Sequence, residues 1–179
     1  MTKISGGVLG GRVLRAEVPE GVRPTAIRTR AALFSMLGQD LAGWSFLDAC
    51  GGTGLMAVEA WSRGAWPVIT VERDSLAARG IAENLNQLKL LSGAAPVQMV
   101  QGDARRVVLP QVDVVYLDPP YKDPIGPWIE WAATLARRYV IAEARAGGEW
   151  PAPPPGFEMD RVRRHGEAEI AFYVASASE

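Results

Sequence analysis

Phe46-Leu47-Asp48-Ala49-Cys50-Gly51-Gly52-Thr53-Gly54 decides the fold: an apolar strand runs into a glycine-rich turn, and a helical pattern beginning Leu55-Met56-Ala57 follows at once. Glycines let backbone pass close to a ligand, and a helix N-terminus offers unpaired N–H groups to it. Outward from this turn, apolar runs of strand length recur at 44–49, 67–71, 96–101, 112–117 and 138–142. Helical patterns lie between them at 54–63, 75–91 (apolar at Ile81, Leu85 and Leu88) and 124–137. Strands alternating with helices of this length predict βαβ units, hence an α/β fold with a doubly wound, mostly parallel, Rossmann-like sheet. Such strands read as nearly continuous apolar runs because both of their faces are buried.

The ends of the chain read differently. Pro151-Ala152-Pro153-Pro154-Pro155-Gly156 forms a connecting loop, since proline lacks the N–H that a helix or ladder needs. It leads into strands at 157–164 and 168–174 joined through Gly166, so the sheet closes with an antiparallel hairpin. At the other end, residues 3–15 read as two short strands around a glycine turn. Arg23-Pro24-Thr25 then opens a helix, with Thr25 as its N-cap. The expected division is a basic N-terminal extension over 1–40 and one catalytic domain over 41–179.

Composition sets the bounds. The 179 residues are 48% apolar and 22% charged, which fits a folded domain and excludes a disordered tail or a collagen-like repeat. Cys50 is the only cysteine, so no intramolecular disulfide forms and a disulfide-built secreted fold is excluded. No signal-peptide pattern opens the chain, and no uncharged apolar run nears the roughly 20 residues of a membrane span. A cytoplasmic protein that makes no membrane contact and acts as a monomer is expected. The net charge of −1 hides an asymmetry: residues 1–30 carry six bases and two acids, a local +4, and the remainder carries −5. A basic arm on a mildly acidic body suits a polyanionic partner held at one end, although a solvated surface would read the same way.

Three acids follow consecutive strands at the sheet edge where open α/β folds bind ligands. They are Asp48 before the glycines, Glu72 after the second strand, and Asp103 after the third. Gly52-Thr53-Gly54-Leu55-Met56-Ala57 also matches the dinucleotide fingerprint G-x-G-x-x-G/A, which by itself suits either NAD or S-adenosylmethionine. Asp48 tips the choice. A carboxylate there repels a dinucleotide's pyrophosphate but suits the ammonium of a methionine moiety. Glu72 would then take both ribose hydroxyls, and Asp103 the adenine amino group. Each acid alone also reads as a helix cap or a loop acid.

The fourth strand, Val112 to Leu117, runs into Asp118-Pro119-Pro120-Tyr121. A [D/N/S]-P-P-[aromatic] match arises by chance in about one chain of this length in a few hundred. The mundane reading is a strand-ending turn. The chemical reading explains each residue type. An exocyclic amine on a base is a poor nucleophile because its lone pair is delocalised into the ring. The Asp118 carboxylate and the Pro119 carbonyl can hold its two hydrogens and turn the lone pair toward an electrophilic methyl group. The paired prolines stiffen that carbonyl's direction. Tyr121 offers a flat face to a base taken out of its stack. Direct transfer then needs mostly alignment, with no metal and no covalent enzyme intermediate.

Taken together, the chain resembles the bacterial small-subunit (16S) rRNA guanine-N2 methyltransferases of the class I S-adenosylmethionine-dependent fold, nearly end to end. The resemblance rests on Gly6-Gly7, Gly11-Arg12 and Leu14; on Arg23-Pro24-Thr25-Ala26-Ile27-Arg28-Thr29-Arg30 and Leu33-Phe34; on Asp48 to Gly54; on Glu59-Ala60, Ser62-Arg63-Gly64-Ala65; and on Asp118 to Tyr121. It implies that Asp48, Cys50, Gly51, Gly52, Gly54, Glu72, Arg73, Asp103 and Ala104 bind S-adenosylmethionine and release S-adenosylhomocysteine. It implies that Asp118, Pro119, Pro120 and Tyr121 hold the guanine amine, and that Arg12, Arg23, Arg28 and Arg30 face RNA. Ribosomal RNA or a partly assembled small subunit is the implied partner. The chain departs from the family's usual acid at Ile27, glutamate at Ala31 and asparagine at Ser35.

The Asp-Pro-Pro-Tyr element alone also fits methyltransferases acting on DNA adenine or protein glutamine. An NAD-dependent oxidoreductase fits the glycine spacing but leaves Asp118–Tyr121 and the basic arm without a role. A non-catalytic RNA-binding module that kept the fold is the remaining alternative. Cys50 has no plausible base beside it, and His165, the only histidine, reads as a surface residue. Trp128 and Trp131, one helical turn apart, read as packing residues.

Overall fold

The computed structural model describes residues 2–14, 27–92 and 97–177. They form two compact units, Met1–Val107 and Val108–Glu179. Thr25, expected to cap the first helix, lies outside the described residues, as does Arg23.

In the first unit, β1 (Thr2–Lys3) and β2 (Val13–Leu14) pair antiparallel around a 3-10 turn at Gly7–Leu9. Helix α1 (Ile27–Leu37) follows, then β3 (Phe46–Asp48), α2 (Leu55–Ser62), β4 (Val68–Glu72), α3 (Ser75–Ser92) and β5 (Gln98–Gln101). The three strands are parallel in the order β5-β4-β3, as the alternating pattern requires. β3 and β4 are buried, with Phe46, Leu47, Val68, Ile69 and Val71 in the core. α3 supplies its covering stripe through Ala77, Ala78, Ile81, Leu85 and Leu88. β5 is half exposed, in contrast to the buried strand its apolar run predicts. Gln98 and Gln101 at its two ends are both open.

In the second unit, β6 (Val112–Leu117) pairs parallel with β7 (Ala136–Arg145) through α4 (Ile125–Ala133). β9 (Ala168–Ala175) pairs antiparallel with β7, and β8 (Phe157–His165) pairs antiparallel with β9, giving the order β6-β7-β9-β8. The closing hairpin is therefore present, turning at Gly166 with φ +65°. Helix α4 stops four residues short of the expected 137. The Thr134 hydroxyl donates to the Trp131 carbonyl at 2.7 Å, and the chain enters β7 at Ala136, opposite Val112. Trp128 is buried and meets Trp131 edge-on at 5.9 Å, a packing contact as expected. Among the described residues no helix is long and apolar enough to cross a membrane.

Candidate functional site

The glycine turn of the first unit joins β3 to α2 by a chain of backbone bonds. Gly51 N–H donates to Val71 O at 2.8 Å, which ties the turn to β4, and Gly54 N–H donates to Gly51 O at 2.6 Å. Two glycines are required sterically. A Cβ at Gly51 would lie 2.6 Å from Thr70 Oγ1 and 2.9 Å from Ile81 Cδ1. Gly54 has φ +72°, and its Cβ would lie 2.9 Å from Ile81 Cγ2. The turn is thus pressed against α3, and Asn84 of that helix donates to the Thr53 carbonyl at 3.3 Å.

Glu72, at the C-terminal end of β4, reaches back to this turn. Its Oε2 accepts from Gly52 N–H and its Oε1 from Asp74 N–H, both at 2.7 Å. Each carboxylate oxygen keeps a lone pair for a further donor, so the group is aligned and still able to accept. Asp74 in turn caps α3, accepting from the N–H groups of Leu76 at 3.0 Å and Ala77 at 2.8 Å.

Asp48 is 1% exposed. Its Oδ1 accepts from Cys50 N–H and its Oδ2 from the Thr70 hydroxyl, each at a long 3.4 Å. Burial pushes its carboxyl up from 3.8 to about 7, and the neighbouring Glu72 charge pushes the same way. Bonds from the backbone of Cys50 and Ala57 and from Thr70 oppose the rise without cancelling it. A carboxylate so poorly compensated gains most from a cation arriving beside it.

Asp103 follows β5. Its Oδ1 accepts from Arg105 N–H at 3.0 Å, and the side chains of Arg105 and Arg106 stand 3.6 and 3.8 Å from its carboxylate. Gly102 N–H donates to Glu72 O at 2.9 Å, which carries this loop to the end of β4. Ala104 is buried, Cys50 is half-buried and Arg73 is exposed. Among the described residues no group of three or more His, Cys, Asp or Glu could hold a metal ion.

In the second unit, β6 leads directly into Asp118–Tyr121. Pro119 is buried, Asp118 is half-buried, and Tyr121 is 41% exposed. Asp123 N–H donates to Pro120 O at 2.8 Å and closes the turn just before α4. The arrangement presents an aromatic face to solvent beside a carboxylate and a proline-stiffened backbone.

The expected RNA-facing residues divide. Arg12 is exposed on the β1–β2 hairpin. Arg23 and the Arg28 side chain lie outside what the structure describes. Arg30 corrects the sequence reading: it is 1% exposed and belongs to the interior. Its Nε pairs with Glu59 Oε1 at 3.2 Å, and its Nη2 donates to the Lys3 carbonyl at 2.8 Å. Its charge serves a buried carboxylate rather than a phosphate.

Residues 2–174 match the family model described as Conserved hypothetical protein 95. The chain belongs to this family. Ribosomal RNA small subunit methyltransferase D of Escherichia coli (strain K12) is 28% identical over 185 residues, which cover 98% of this chain and 90% of that protein. Among solved structures, yhhF from Escherichia coli matches with a TM-score of 0.83 and 25% identity over 99% of both chains. The magnesium protoporphyrin IX methyltransferase of Synechocystis, solved with bound S-adenosylmethionine, matches with a TM-score of 0.67 over 83% of this chain and 79% of its own. At 18% identity that last likeness concerns the fold alone. The fold is that of the class I methyltransferases.

For this family member, sequence reasoning missed Asn84, which holds the glycine turn through the Thr53 carbonyl, Thr70, which donates to Asp48, and Asp74, which caps α3 and donates its N–H to Glu72. It also missed what Glu59 does. Glu59 is fully buried in α2 and accepts from Ser5 N–H at 2.6 Å, the Ser5 hydroxyl at 2.9 Å, Arg30 and Arg63. The available signal was a lone acid among Leu55, Met56, Ala57, Val58 and Ala60.

Proposed function

We propose that this protein transfers a methyl group from S-adenosylmethionine to the exocyclic N2 amine of a guanine in small-subunit ribosomal RNA. The observation that carries the reading is Asp118-Pro119-Pro120-Tyr121 at the carboxyl end of a parallel strand, with its tyrosine open to solvent. The similarity to the Escherichia coli ribosomal RNA small subunit methyltransferase D supports it, as does the Arg12-bearing hairpin.

The residues of the first unit suit the donor. Asp48, buried and poorly compensated, would take the ammonium of the methionine moiety. Glu72, aligned by two amide groups, would take the ribose hydroxyls. Gly51 and Gly54 have no room for side chains and would leave backbone to line the moiety there, while Cys50, Arg73, Asp103 and Ala104 would complete its surroundings. When bound, S-adenosylmethionine supplies a methyl group on a sulfonium sulfur, an electrophile that needs no further activation.

The second unit prepares the nucleophile. Asp118 and the Pro119 carbonyl accept the two N2 hydrogens, which rotates the lone pair out of conjugation with the ring. Tyr121 supports the face of the extruded base, an interaction worth roughly 1–3 kcal/mol. As the nitrogen gains its methyl group it becomes acidic, and the Asp118 carboxylate accepts the proton it sheds. Arg12 holds phosphate, so RNA affinity falls steeply with salt.

The test is transfer of labelled methyl from S-adenosylmethionine to small-subunit RNA, naked or in partly assembled particles, followed by mass mapping of the nucleosides. N2-methylguanosine is expected. Label on adenine in DNA or on protein glutamine would overturn the substrate assignment. Asp118→Ala should slow transfer by about 100-fold or more while S-adenosylhomocysteine still binds. Transfer at the parental rate would remove Asp118 from the chemistry.

A further inference from the structure

Resting on the function proposed above, we propose that Glu143 determines base specificity by accepting the ring N1–H of guanine beside its N2 amine. β6 and β7 run parallel in a register that sets Tyr116 opposite Ile141 and Leu117 opposite Ala142. Asp118 and Glu143 are the residues that follow this last pair. There β6 has ended and the chain has turned into its two prolines, so β7 continues past it to Arg145. Side chains alternate along a strand, so Tyr116, Ile141 and Glu143 share one face. Asp118 and Glu143 thus each follow directly on the last pair of this register, Leu117 and Ala142, at the carboxyl end where open sheets bind ligands.

Glu143 is not a solvated surface acid. It is 5% exposed, and the buried Tyr116 hydroxyl donates to its Oε2 at 2.8 Å. Its cross-strand neighbour on β9 is the buried Ile170. A carboxylate in such surroundings is costly, and packed apolar residues of the same volume would serve stability at least as well. The bond from Tyr116 fixes the direction of the carboxylate.

The chemistry of the base supplies the use. Guanine presents N1–H and N2–H2 side by side on one edge, three hydrogens with no acceptor among them. Adenine and cytosine present a bare ring nitrogen beside their amines. Two adjacent carboxylates therefore match guanine and confront the other two bases with lone-pair repulsion. Asp118 and the Pro119 carbonyl hold the amine that reacts, and Glu143 holds the neighbouring ring N–H that does not.

The experiment uses the full-length protein and the RNA fragment that carries the mapped guanine, made with guanine or with 2-aminopurine at that position. 2-Aminopurine keeps the N2 amine but has a bare N1. The parent enzyme should favour guanine by roughly 10–100-fold in kcat/KM. Glu143→Gln, whose amide can donate to a bare N1, should lose activity on guanine and gain it on 2-aminopurine, moving the ratio by at least about tenfold. Losing O6 affects both enzymes alike, so the change in ratio reports on N1. Equal losses on both bases, or no loss on either, would overturn the inference and leave the function standing. The parent enzyme alone suffices if the variant does not fold, because equal rates on the two bases would overturn it too. No transfer to guanine N2 by the parent enzyme would overturn the function and this inference together.

Discussion

Among the described residues the first unit buries two carboxylates, and it treats them in opposite ways. Glu59 receives four donors from three segments: residue 5, Arg30 of α1, and Arg63 at the end of its own helix. The Arg63 guanidinium also stacks on Phe34 at 4.3 Å, and Arg63 Nη2 donates to the Ser5 hydroxyl at 3.0 Å. Asp48, on β3, receives two bonds of 3.4 Å, a further bond from the Ala57 backbone and the repulsion of Glu72. Glu59 is a completed ion network that fastens the N-terminal hairpin to α2. The turn of that hairpin touches the helix so closely that a Cβ at Gly7 would meet the Ser62 carbonyl at 1.9 Å. Asp48 is left short of partners, which costs stability and leaves it ready for a cation. Burial alone does not separate the two acids; the donors that compensate each of them do.

The largest effect should come from breaking the completed network. Glu59→Ala leaves two guanidinium groups without their shared partner and should lower unfolding free energy by about 3–5 kcal/mol in urea denaturation. A loss below about 1 kcal/mol would mean that the network is incidental.

Asp48→Asn should act with the opposite sign. The folded-state carboxyl is raised to about 7, so the folded protein holds a proton that the unfolded chain has already released. Stability contributed by this group therefore falls as pH rises from about 4 to about 7 and then levels off. The asparagine variant should be more stable than the parent by about 1–3 kcal/mol at pH 8, with the gain shrinking toward pH 4. It should bind S-adenosylhomocysteine more than tenfold more weakly, since the ammonium loses its counter-charge. Greater stability without loss of binding would break the contrast.

The parent protein should show the same titration in its ligand. Calorimetry with S-adenosylhomocysteine should find Kd rising about tenfold per unit as pH falls from 7 to 5, and a level response from 7 to 8.5. Asp48→Asn should flatten that profile. Thr70→Val should give the smallest effect. It removes one long bond to the carboxylate and should move the midpoint upward by about half a unit, without changing the fold.

How much of this was legible depends on the range over which each feature is encoded. The alternation of strands and helices, the glycine turn and the Asp118–Tyr121 turn are local patterns, and each is found where its own residues predict it. Glu72 could be placed near the turn because βαβ units bring consecutive strand ends together. The extent of α4 could not be read. Its apolar spacing continues past Ala133, and the pairing of Ala136 with Val112 ends the helix. Arg30 could not be read either, because a basic residue on a helix looks the same whether it faces a phosphate or a carboxylate 29 positions away.

By itself, the amino-acid order determined which segments are strands, where the tight glycine turn lies and where the Asp118–Tyr121 turn follows its strand. Periodicity and steric limits act over a few residues, so one dimension is enough to express them. Tertiary structure alone decided which charges are buried, which of them are compensated, and that Glu143 is buried against the Tyr116 hydroxyl. Those depend on desolvation and on strand register, and both arise only when segments distant along the chain are brought into contact.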